Sequence, residues 1–202
     1  MTPNTKSAIA ICLTAMLTFS PVAASAQANT FSGRAVAVRA SVVGIALALS
    51  DTGPLPAAGG NLKTSVASVN ILGLVSAEVL SSAASGGGSS SQSQSAVANL
   101  NLLGGLIVAD VVKSSAGASC SGGQAAVTGD SELVGLVVAG QPVLVVNPNV
   151  ALTLPGGISV VVNERTSSSG ANSGSMTVNA LHVTGPAIDI VVASAQSGIT
   201  CA

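Results

Sequence analysis

The chain has 202 residues, of which six are Lys or Arg, seven are Asp or Glu and one is His, so its formal net charge is −1. Because it has no basic excess, it lacks the electrostatic footprint of a nucleic-acid-binding protein. Aromatic residues make up 1% of the sequence, with no Trp or Tyr. This scarcity counts against sites that stack sugars or single-stranded bases on aromatic rings.

Residues 1–28 predict a cleaved secretory signal peptide. Lys6 precedes an apolar run over 8–19, and small residues with the A-x-A pattern of a cleavage site follow the run. A membrane span needs about 20 apolar residues, so this run is short for a retained anchor, which is the alternative. We therefore expect Cys12 to be removed with the signal. A single all-β extracytoplasmic domain over 29–202, without a transmembrane segment, should remain.

Two cysteines, Cys120 and Cys201, remain after signal cleavage. In an oxidising compartment an even pair is most simply a disulfide, and two free thiols are the alternative. Closing a loop of about 80 residues would contribute ~4.5 kcal/mol in the chain-entropy treatment. The sequence therefore predicts that the C-terminal end is tied to the middle of the domain.

The remaining sequence predicts strands separated by turns. Val, Ile, Leu, Ala, Ser and Thr dominate, and clusters of Gly, Ser, Asn and Pro interrupt them. Strands are predicted at 33–50, 62–72, 74–84, 95–103, 106–115, 132–146, 158–165, 175–184 and 187–196. Breaks are predicted at 53–60, 86–93, 117–123, 147–157 and 167–174. The Gly/Ser/Gln segment 86–95 is interpreted as a flexible hairpin tip or loop.

A weak internal repeat relates residues 67–83 to 98–116, with a fainter copy at 178–195. The matched pairs are Asn70 with Asn101, Gly73 with Gly104, and Glu78 with Asp110. Each unit predicts a strand, a glycine turn and a second strand, which together form a β-hairpin. We therefore predict an all-β fold, an antiparallel β-sandwich built from hairpins. The period of about 30 residues leaves a β-solenoid as the alternative.

The single histidine, His182, is the one candidate for a catalytic base. A Ser-His-Asp triad would need it in that role, but the sequence has no G-x-S-x-G elbow. We interpret His182 as a hydrogen-bonded histidine of a β-sheet. One histidine and two paired cysteines cannot supply a zinc site, so no metal and no cofactor is expected.

Acidic residues could act in pairs in glycoside hydrolysis, but sequence alone cannot place any two at the required separation. The candidates are Glu78, Asp110, Asp130, Glu132 and Glu164. Glu78 and Asp110 occupy equivalent repeat positions, which indicates a structural role with Lys113, Arg165 or backbone amides as partners. Glu164 beside Arg165 is interpreted as a solvated pair at a strand end. Asp130 and Glu132 lack the D-x-D-x-D-G pattern of a calcium loop.

Several short segments occur along the chain in an order that is informative as a series. They are FSGRA at 31–35, DTGPLP at 51–56, ANLNLLGGL at 98–106, GQPV at 140–143, LPGG at 154–157, VNE at 162–164 and VNALHV at 178–183. In this order the sequence resembles the choice-of-anchor P family of bacterial exported proteins, over nearly the whole mature chain. The resemblance implies an extracellular domain that different C-terminal devices attach to the envelope, and it brings no catalytic residues.

The sequence departs from the anchored pattern of that family at its end. Residues 197–202 contain neither an LPxTG sorting signal nor an apolar tail followed by basic residues. We therefore expect a secreted or non-covalently held protein, outside the cell or at the cell surface, with the periplasm as the alternative location.

These observations together predict a non-enzymatic structural protein of the cell surface or extracellular matrix. Its expected partners are further copies of itself or components of the envelope and matrix, because few lysines protect its strand edges against pairing. The alternative is a soluble secreted binding module for a surface or a polysaccharide. A secreted hydrolase that uses paired carboxylates is a third hypothesis.

Overall fold

The structure is a computed structural model that describes residues 28–71, 73–145 and 147–202. The predicted signal peptide, with Cys12, lies outside the described residues except for residue 28. In the described part, two antiparallel sheets pack face to face, which confirms the predicted β-sandwich over the solenoid alternative. No helix in that part is long and apolar enough to cross a membrane.

The strands follow one another along the chain as a series of hairpins. In chain order they are β1 (Thr30–Val42), β2 (Ile45–Asp51), β3 (Gly60–Ile71), β4 (Val75–Gly87), β5 (Ser90–Leu102), β6 (Ile107–Ser121), β7 (Gln124–Val134), β8 (Val137–Val138), β9 (Gln141–Pro142), β10 (Val150–Leu154), β11 (Ile158–Ser169), β12 (Ser173–Gly185) and β13 (Ile188–Thr200). One turn of 3-10 helix, Leu103–Gly105, joins β5 to β6.

Each sheet combines strands that are neighbours in sequence. The first sheet has the order β10-β11-β12-β13-β1-β2, so β1 and β13 bring the two ends of the domain together. The second sheet has the order β3-β4-β5-β6-β8-β9, and β7 also pairs with β6. In the packed layers β13 lies over β5 and β6, and β1 lies over β4.

Two predicted boundaries are wrong for the same reason, which is turn geometry. The predicted strand 33–50 is two strands, because Val43 and Gly44 both have positive φ, at 48° and 80°. Two such residues form the tight turn that suits a hairpin. The predicted break at 86–93 shrinks to a turn at 88–89, with β4 and β5 running up to it on either side.

Further strands lie where breaks or no structure were predicted. β10 lies inside the predicted break 147–157, and most of β7 lies between a predicted break and a predicted strand. Both are edge strands whose exposed and half-buried residues alternate. β7 is rich in Ala, Gly, Ser and Thr, so its strand character depends on its pairing with β6 rather than on bulky side chains.

The two halves of the interior have different compositions. One half is an apolar core, whose largest completely buried side chains are Leu80, Leu100, Leu102, Ile107, Leu181 and Ile190. The other half buries mainly small residues, among them Ala84, Ser91, Ser93, Ser95, Ala116, Ser114, Ala195 and Ser197. Some of the buried serines pair with one another: the hydroxyls of Ser82 and Ser95 lie 3.1 Å apart, and Ser197 donates to Ser93 at 3.3 Å.

The predicted hairpin tip lies at 88–89, and the serine-rich half of the interior explains why the rest of segment 86–95 forms strands rather than a loop. Ser91 and Ser93 are completely buried on the inner face of β5, and a Cβ added to Gly33 in the facing sheet would lie only 3.0 Å from the Ser93 hydroxyl, so the layers are close at this point. The Ser91 hydroxyl donates to the carbonyl oxygen of Ser32 at 2.8 Å, which satisfies its polar group. Composition typical of a loop is therefore found in a strand.

A line of irregular residues, here called the bulge line, crosses each sheet and divides the two halves. In the first sheet Ser50, Asn149, Asn163 and Ala193 have positive φ, and in the second sheet Val79, Asn99 and Gly135 do. At this line the inward-facing residues change between odd and even positions in the sequence. In β4, for example, Val75 and Ala77 face inward before the line, and Leu80 and Ser82 face inward after it. The change occurs at the same level in neighbouring strands. The pairing of β1 with β13 therefore keeps its register across the line.

A disulfide between Cys120 and Cys201 joins the end of β6 to the residue after β13. Its two Cα atoms are 5.7 Å apart. The bond therefore links the second sheet to the first at the serine-rich end. Phe31, Leu55 and Ile199 form a small apolar cluster around the Cys120 side of this end.

Candidate functional site

An open groove, here called the transverse groove, crosses the outer face of the second sheet. Its volume is about 800 Å³, and three consecutive residues from each of five strands line it. These are residues 63–65 of β3, 81–83 of β4, 94–96 of β5, 113–115 of β6 and 130–132 of β7. Strands lie 4.7–4.9 Å apart, so the groove is about 19 Å long and runs across the strands.

Strand register sets two side-chain rows as the walls of the groove. The first row is Lys63, Ala83, Gln94, Ser115 and Asp130, and the second is Ser65, Ser81, Ala96, Lys113 and Glu132. Between them lies the row Thr64, Ser82, Ser95, Ser114 and Ser131. Side chains alternate along a strand, so this middle row contributes backbone to the floor while Ser82, Ser95 and Ser114 are buried on the inner side.

The depth of the groove follows from residue size and from the bulge line. Ala83 on β4 and Ala96 on β5 leave gaps in the walls, while Gln94 stands on the central strand and charged residues stand on β3, β6 and β7. The bulge residue of β4, Val79, lies two residues before the first groove residue of that strand. Bulges bend and twist the strands that contain them, which favours a curved outer face at this position.

Ion pairs hold the β7 end of the groove. Lys113 Nζ lies 3.1 Å from Glu132 Oε2, and Arg165 Nη2 donates to Asp130 Oδ1 at 2.6 Å. Arg165 comes from β11 of the first sheet, and its Nε donates to Asn163 Oδ1 at 2.9 Å, which orients the guanidinium. Positive and negative groups therefore occur together at this end of the groove.

The arrangement of carboxylates does not support the hydrolase hypothesis. Asp130 and Glu132 share one face of β7, about 7 Å apart, but a glycosidase needs one carboxyl that burial keeps protonated. The side chains of Asp130 and Glu132 are 76% and 59% exposed, and each faces a cation. Glu78 lies elsewhere and accepts a hydrogen bond from Asn99 Nδ2 at 2.8 Å, not from Lys113 or Arg165.

His182 belongs to a polar network on the outer face of the first sheet, as expected for a sheet histidine. Its Nδ1 lies 3.1 Å from Glu164 Oε2, which also accepts a hydrogen bond from Asn179 Nδ2 at 2.6 Å. Its Nε2 is 3.3 Å from Asp189 Oδ1, close enough for an ion pair but not aligned for a hydrogen bond. Ser194 Oγ donates to Asn179 rather than to the imidazole, so a nucleophile and base are not paired here.

The predicted pair of Glu164 with Arg165 is wrong. The two residues lie within β11 rather than at a strand end, and consecutive side chains of a strand point to opposite faces. Glu164 therefore faces His182, while Arg165 reaches Asp130. Among the described residues, no group of three His, Cys, Asp or Glu side chains is arranged to hold a metal ion.

A further ion pair, Arg34 with Asp51, fastens β1 to β2. Arg34 Nε donates to Asp51 Oδ1 at 2.9 Å, and its Nη2 contacts Oδ2. The hydrogen bond from Arg34 is the main reason why the pKa of Asp51 lies below its usual range. The same bond raises the pKa of Arg34. The Gly53 amide also donates to Asp51 Oδ1, at 2.9 Å, which fixes the start of the following loop.

The β2 edge, residues Ile45–Asp51, is an exposed apolar edge of the first sheet. Within the described residues β2 pairs with β1 alone. Ile45 is 73% exposed and Leu47 is 37% exposed, and Val43 in the preceding turn is 79% exposed. Residues 45–50 read IALALS and carry no charge. This strand therefore presents an unprotected pairing edge beside apolar side chains.

No family model, curated protein or solved structure matches the chain. The resemblance to the choice-of-anchor P family therefore depends on its ordered segments alone and stays a prediction. Sequence reasoning singled out Asp130 and Glu132 but missed Lys63, Gln94 and Lys113 as residues of one groove. The alternation of side chains along each strand could have indicated that these residues face outward. Only the order of the strands in the sheet shows that they lie next to one another.

Proposed function

We propose that this protein is a non-enzymatic exported structural protein of the cell surface or extracellular matrix, and that it self-associates through the β2 edge. The observation that supports this best is the exposure of the uncharged residues 45–48 of β2, the strand at the end of the first sheet. Native edge strands are usually protected by lysine, proline, bulges or covering loops. Residues 45–49 contain no lysine, no proline and no residue with positive φ, and the bulge residue of β2, Ser50, lies toward the far end of the strand.

Antiparallel pairing of two β2 strands would give a two-fold symmetric contact. In such a contact each copy offers the same surface to the other, and a strand edge is complementary to itself in the antiparallel sense. Pairing would continue the first sheet from one copy into the next and cover the exposed side chains of Ile45 and Leu47. The new hydrogen bonds between the two edge strands and the burial of apolar area therefore both favour association of two copies.

Export is supported by three independent features. The sequence of residues 1–28 has the order of a signal peptide, and Cys120 and Cys201 form a disulfide of the kind that persists in oxidising compartments. The resemblance to the choice-of-anchor P family adds the cell surface as a location. Together these features favour a role outside the cytoplasm.

Sedimentation velocity of oxidised residues 29–202 over a wide concentration range tests the proposal. We expect species larger than the monomer to grow with concentration. The double variant Ile45→Lys with Leu47→Lys should remain monomeric, because like charges would face each other across the paired strands. The matched control is Leu144→Lys, which charges a side chain that is 87% exposed outside any strand. A wild-type protein that stays monomeric at every concentration would refute self-association.

A further inference from the structure

We propose that the transverse groove binds an uncharged polysaccharide chain that lies across the strands of the second sheet. This inference goes beyond the structural role proposed above and does not depend on the β2 edge. The groove is a polar site of about 800 Å³, and its wall residues come from all five strands between β3 and β7.

The shape of the groove suits a segment of a linear polymer. Its two walls are rows of residues two apart along each strand, so their Cα atoms are separated by about 7 Å, and the groove crosses five strands. Ala83 and Ala96 leave room beside Gln94, which is the one long side chain among the groove residues of β4 and β5. A narrow, elongated and open site of this kind accepts a chain that continues beyond both ends.

The chemistry of the walls matches hydroxyl groups. Lys63 and Lys113 supply donors, Asp130 and Glu132 supply acceptors, and Gln94 supplies both, with serine hydroxyls between them. A sugar hydroxyl donates and accepts at once, and hydrogen bonds to charged groups are the stronger kind. The site can therefore recognise a polyhydroxylated ligand without an aromatic platform.

The charge of the groove favours an uncharged ligand. Glu132 is paired with Lys113 and Asp130 with Arg165, and Lys63 adds one positive charge at the β3 end, so the three cations and two carboxylates leave a net charge of +1. A polyanion would meet two carboxylates, and a polycation would meet the lysines and the arginine. A neutral chain meets neither repulsion and can use every donor and acceptor.

Strand pairing argues against an extended peptide as the ligand. The residues of the floor pair with one another across the sheet, from Thr64 with Ser82 to Ser114 with Ser131, so their backbone groups are engaged in the ladder. Peptides that add to a sheet gain affinity from main-chain hydrogen bonds at its edge, parallel to the strands. A ligand that crosses the strands must be recognised by side chains instead.

Affinity electrophoresis and calorimetry with oxidised residues 29–202 test the proposal. The probes are dextran, soluble starch and laminarin, which are neutral polysaccharides, with alginate as the anionic comparison and an unstructured decapeptide as the alternative ligand. We expect binding of at least one neutral polysaccharide in preference to alginate and the peptide. Binding by one groove should be weak, because hydrogen bonds act without stacking.

Variants on a single face distinguish groove binding from general adhesion. Gln94→Ala should weaken binding about three- to tenfold, the loss expected for one or two hydrogen bonds. Ala83→Trp should block the centre of the groove and weaken binding more. Gln92→Ala is the matched control, since Gln92 lies on the same strand and face but outside the groove. Circular dichroism should show the same fold for each variant.

Several outcomes would overturn the inference. They are the absence of binding to every neutral polysaccharide, stronger binding of alginate or the decapeptide, and unchanged binding by Ala83→Trp. The variant Ile45→Lys with Leu47→Lys should bind polysaccharide as the wild type does. Failure of groove binding and failure of self-association are therefore separate results.

Discussion

Removal of the disulfide between Cys120 and Cys201 should lower the free energy of unfolding by about 4–5 kcal/mol. The bond joins residues 81 positions apart. In the chain-entropy treatment, a loop of that length restricts the unfolded state by ~4.5 kcal/mol at 25 °C. Domains are stable by only about 5–15 kcal/mol, so the double variant Cys120→Ser with Cys201→Ser should lose a large share of its stability.

Urea unfolding of the oxidised wild type and of the double variant measures this loss. The dependence of the free energy on urea should become steeper in the variant, because its unfolded chain is released from the cross-link and exposes more surface. Wild-type protein reduced with dithiothreitol and measured in that reductant should match the variant in the same buffer. That comparison separates loss of the bond from the effect of replacing sulfur by a hydroxyl.

A loss below about 1 kcal/mol would refute the reasoning, provided that thiol titration shows the bond to be formed in the wild type. Such a result would mean that strain in the folded state offsets the constraint, or that the unfolded chain keeps the two ends close without it. A loss in the variant that reduction of the wild type does not reproduce would instead assign the effect to side-chain packing.

Three further predictions concern the sheets themselves. Ala193 has a φ of 50°, whereas Ala180 in the same row does not have a positive φ, and both are completely buried. Ala180→Gly should therefore destabilise the protein by about 1 kcal/mol more than Ala193→Gly, as thermal melts can show. Asp51→Asn should cost about 1 kcal/mol at pH 7. Because folding lowers the pKa of Asp51, its stabilisation is complete above about pH 4 and is lost as pH falls through the folded pKa, so wild type and variant should converge in acid. The buried hydroxyl of Ser114 has no hydrogen-bond partner among the described residues. Ser114→Ala should therefore stabilise by about 1 kcal/mol in urea titrations, whereas Ser82→Ala, which loses a serine partner, should destabilise. Equal destabilisation by Ala180→Gly and Ala193→Gly would contradict the first prediction, and equal stability of Ser114→Ala and Ser82→Ala would contradict the third. The second would be contradicted if the stability difference between wild type and Asp51→Asn stayed constant down to pH 2.

The fold class could be predicted from the sequence because β-branched residues and turn residues alternate along the chain. The ends of the strands were harder to predict where the strands consist of small residues. Segment 86–95 has the composition of a linker, yet Ser91 and Ser93 are buried, since the opposite sheet lies close enough to exclude larger side chains. The composition of a segment indicates its local backbone preference. The space between two sheets depends on the tertiary structure, so composition does not reveal it.

The bulge line left no recognisable signature in the sequence. Val79 and Ala193 have positive φ although neither residue type favours that conformation, so the neighbouring strands impose it. The change of parity along each strand also obscured the pattern of inward-facing residues. In β4, Ala77 and Leu80 both face inward, a spacing that simple alternation would not predict.

The transverse groove was inaccessible for a different reason. Each strand contributes only three adjacent residues to it, and none of these short segments has a distinctive motif. Lys63 and Glu132 become parts of the same groove only through the order and register of β3 to β7. The sequence predicted that His182 would form a hydrogen bond within a sheet. It could not identify the partner, Glu164, because that contact depends on the register of β11 with β12.

The bulge line also constrains how the length of this chain can change. Inward-facing residues are two apart on either side of the line and three apart across it, as from Val97 to Leu100 in β5. Deleting one residue at the line would restore plain alternation in β5 and leave Val97 and Leu100 both facing inward. β6 would keep its extra residue, so two of its residues would lie opposite one of β5, as in an ordinary β-bulge. Deleting a residue elsewhere in β5 would instead turn a run of buried side chains to the solvent. We therefore expect the bulge line to be the place in each strand where the length of the chain can change by one residue at the lowest cost.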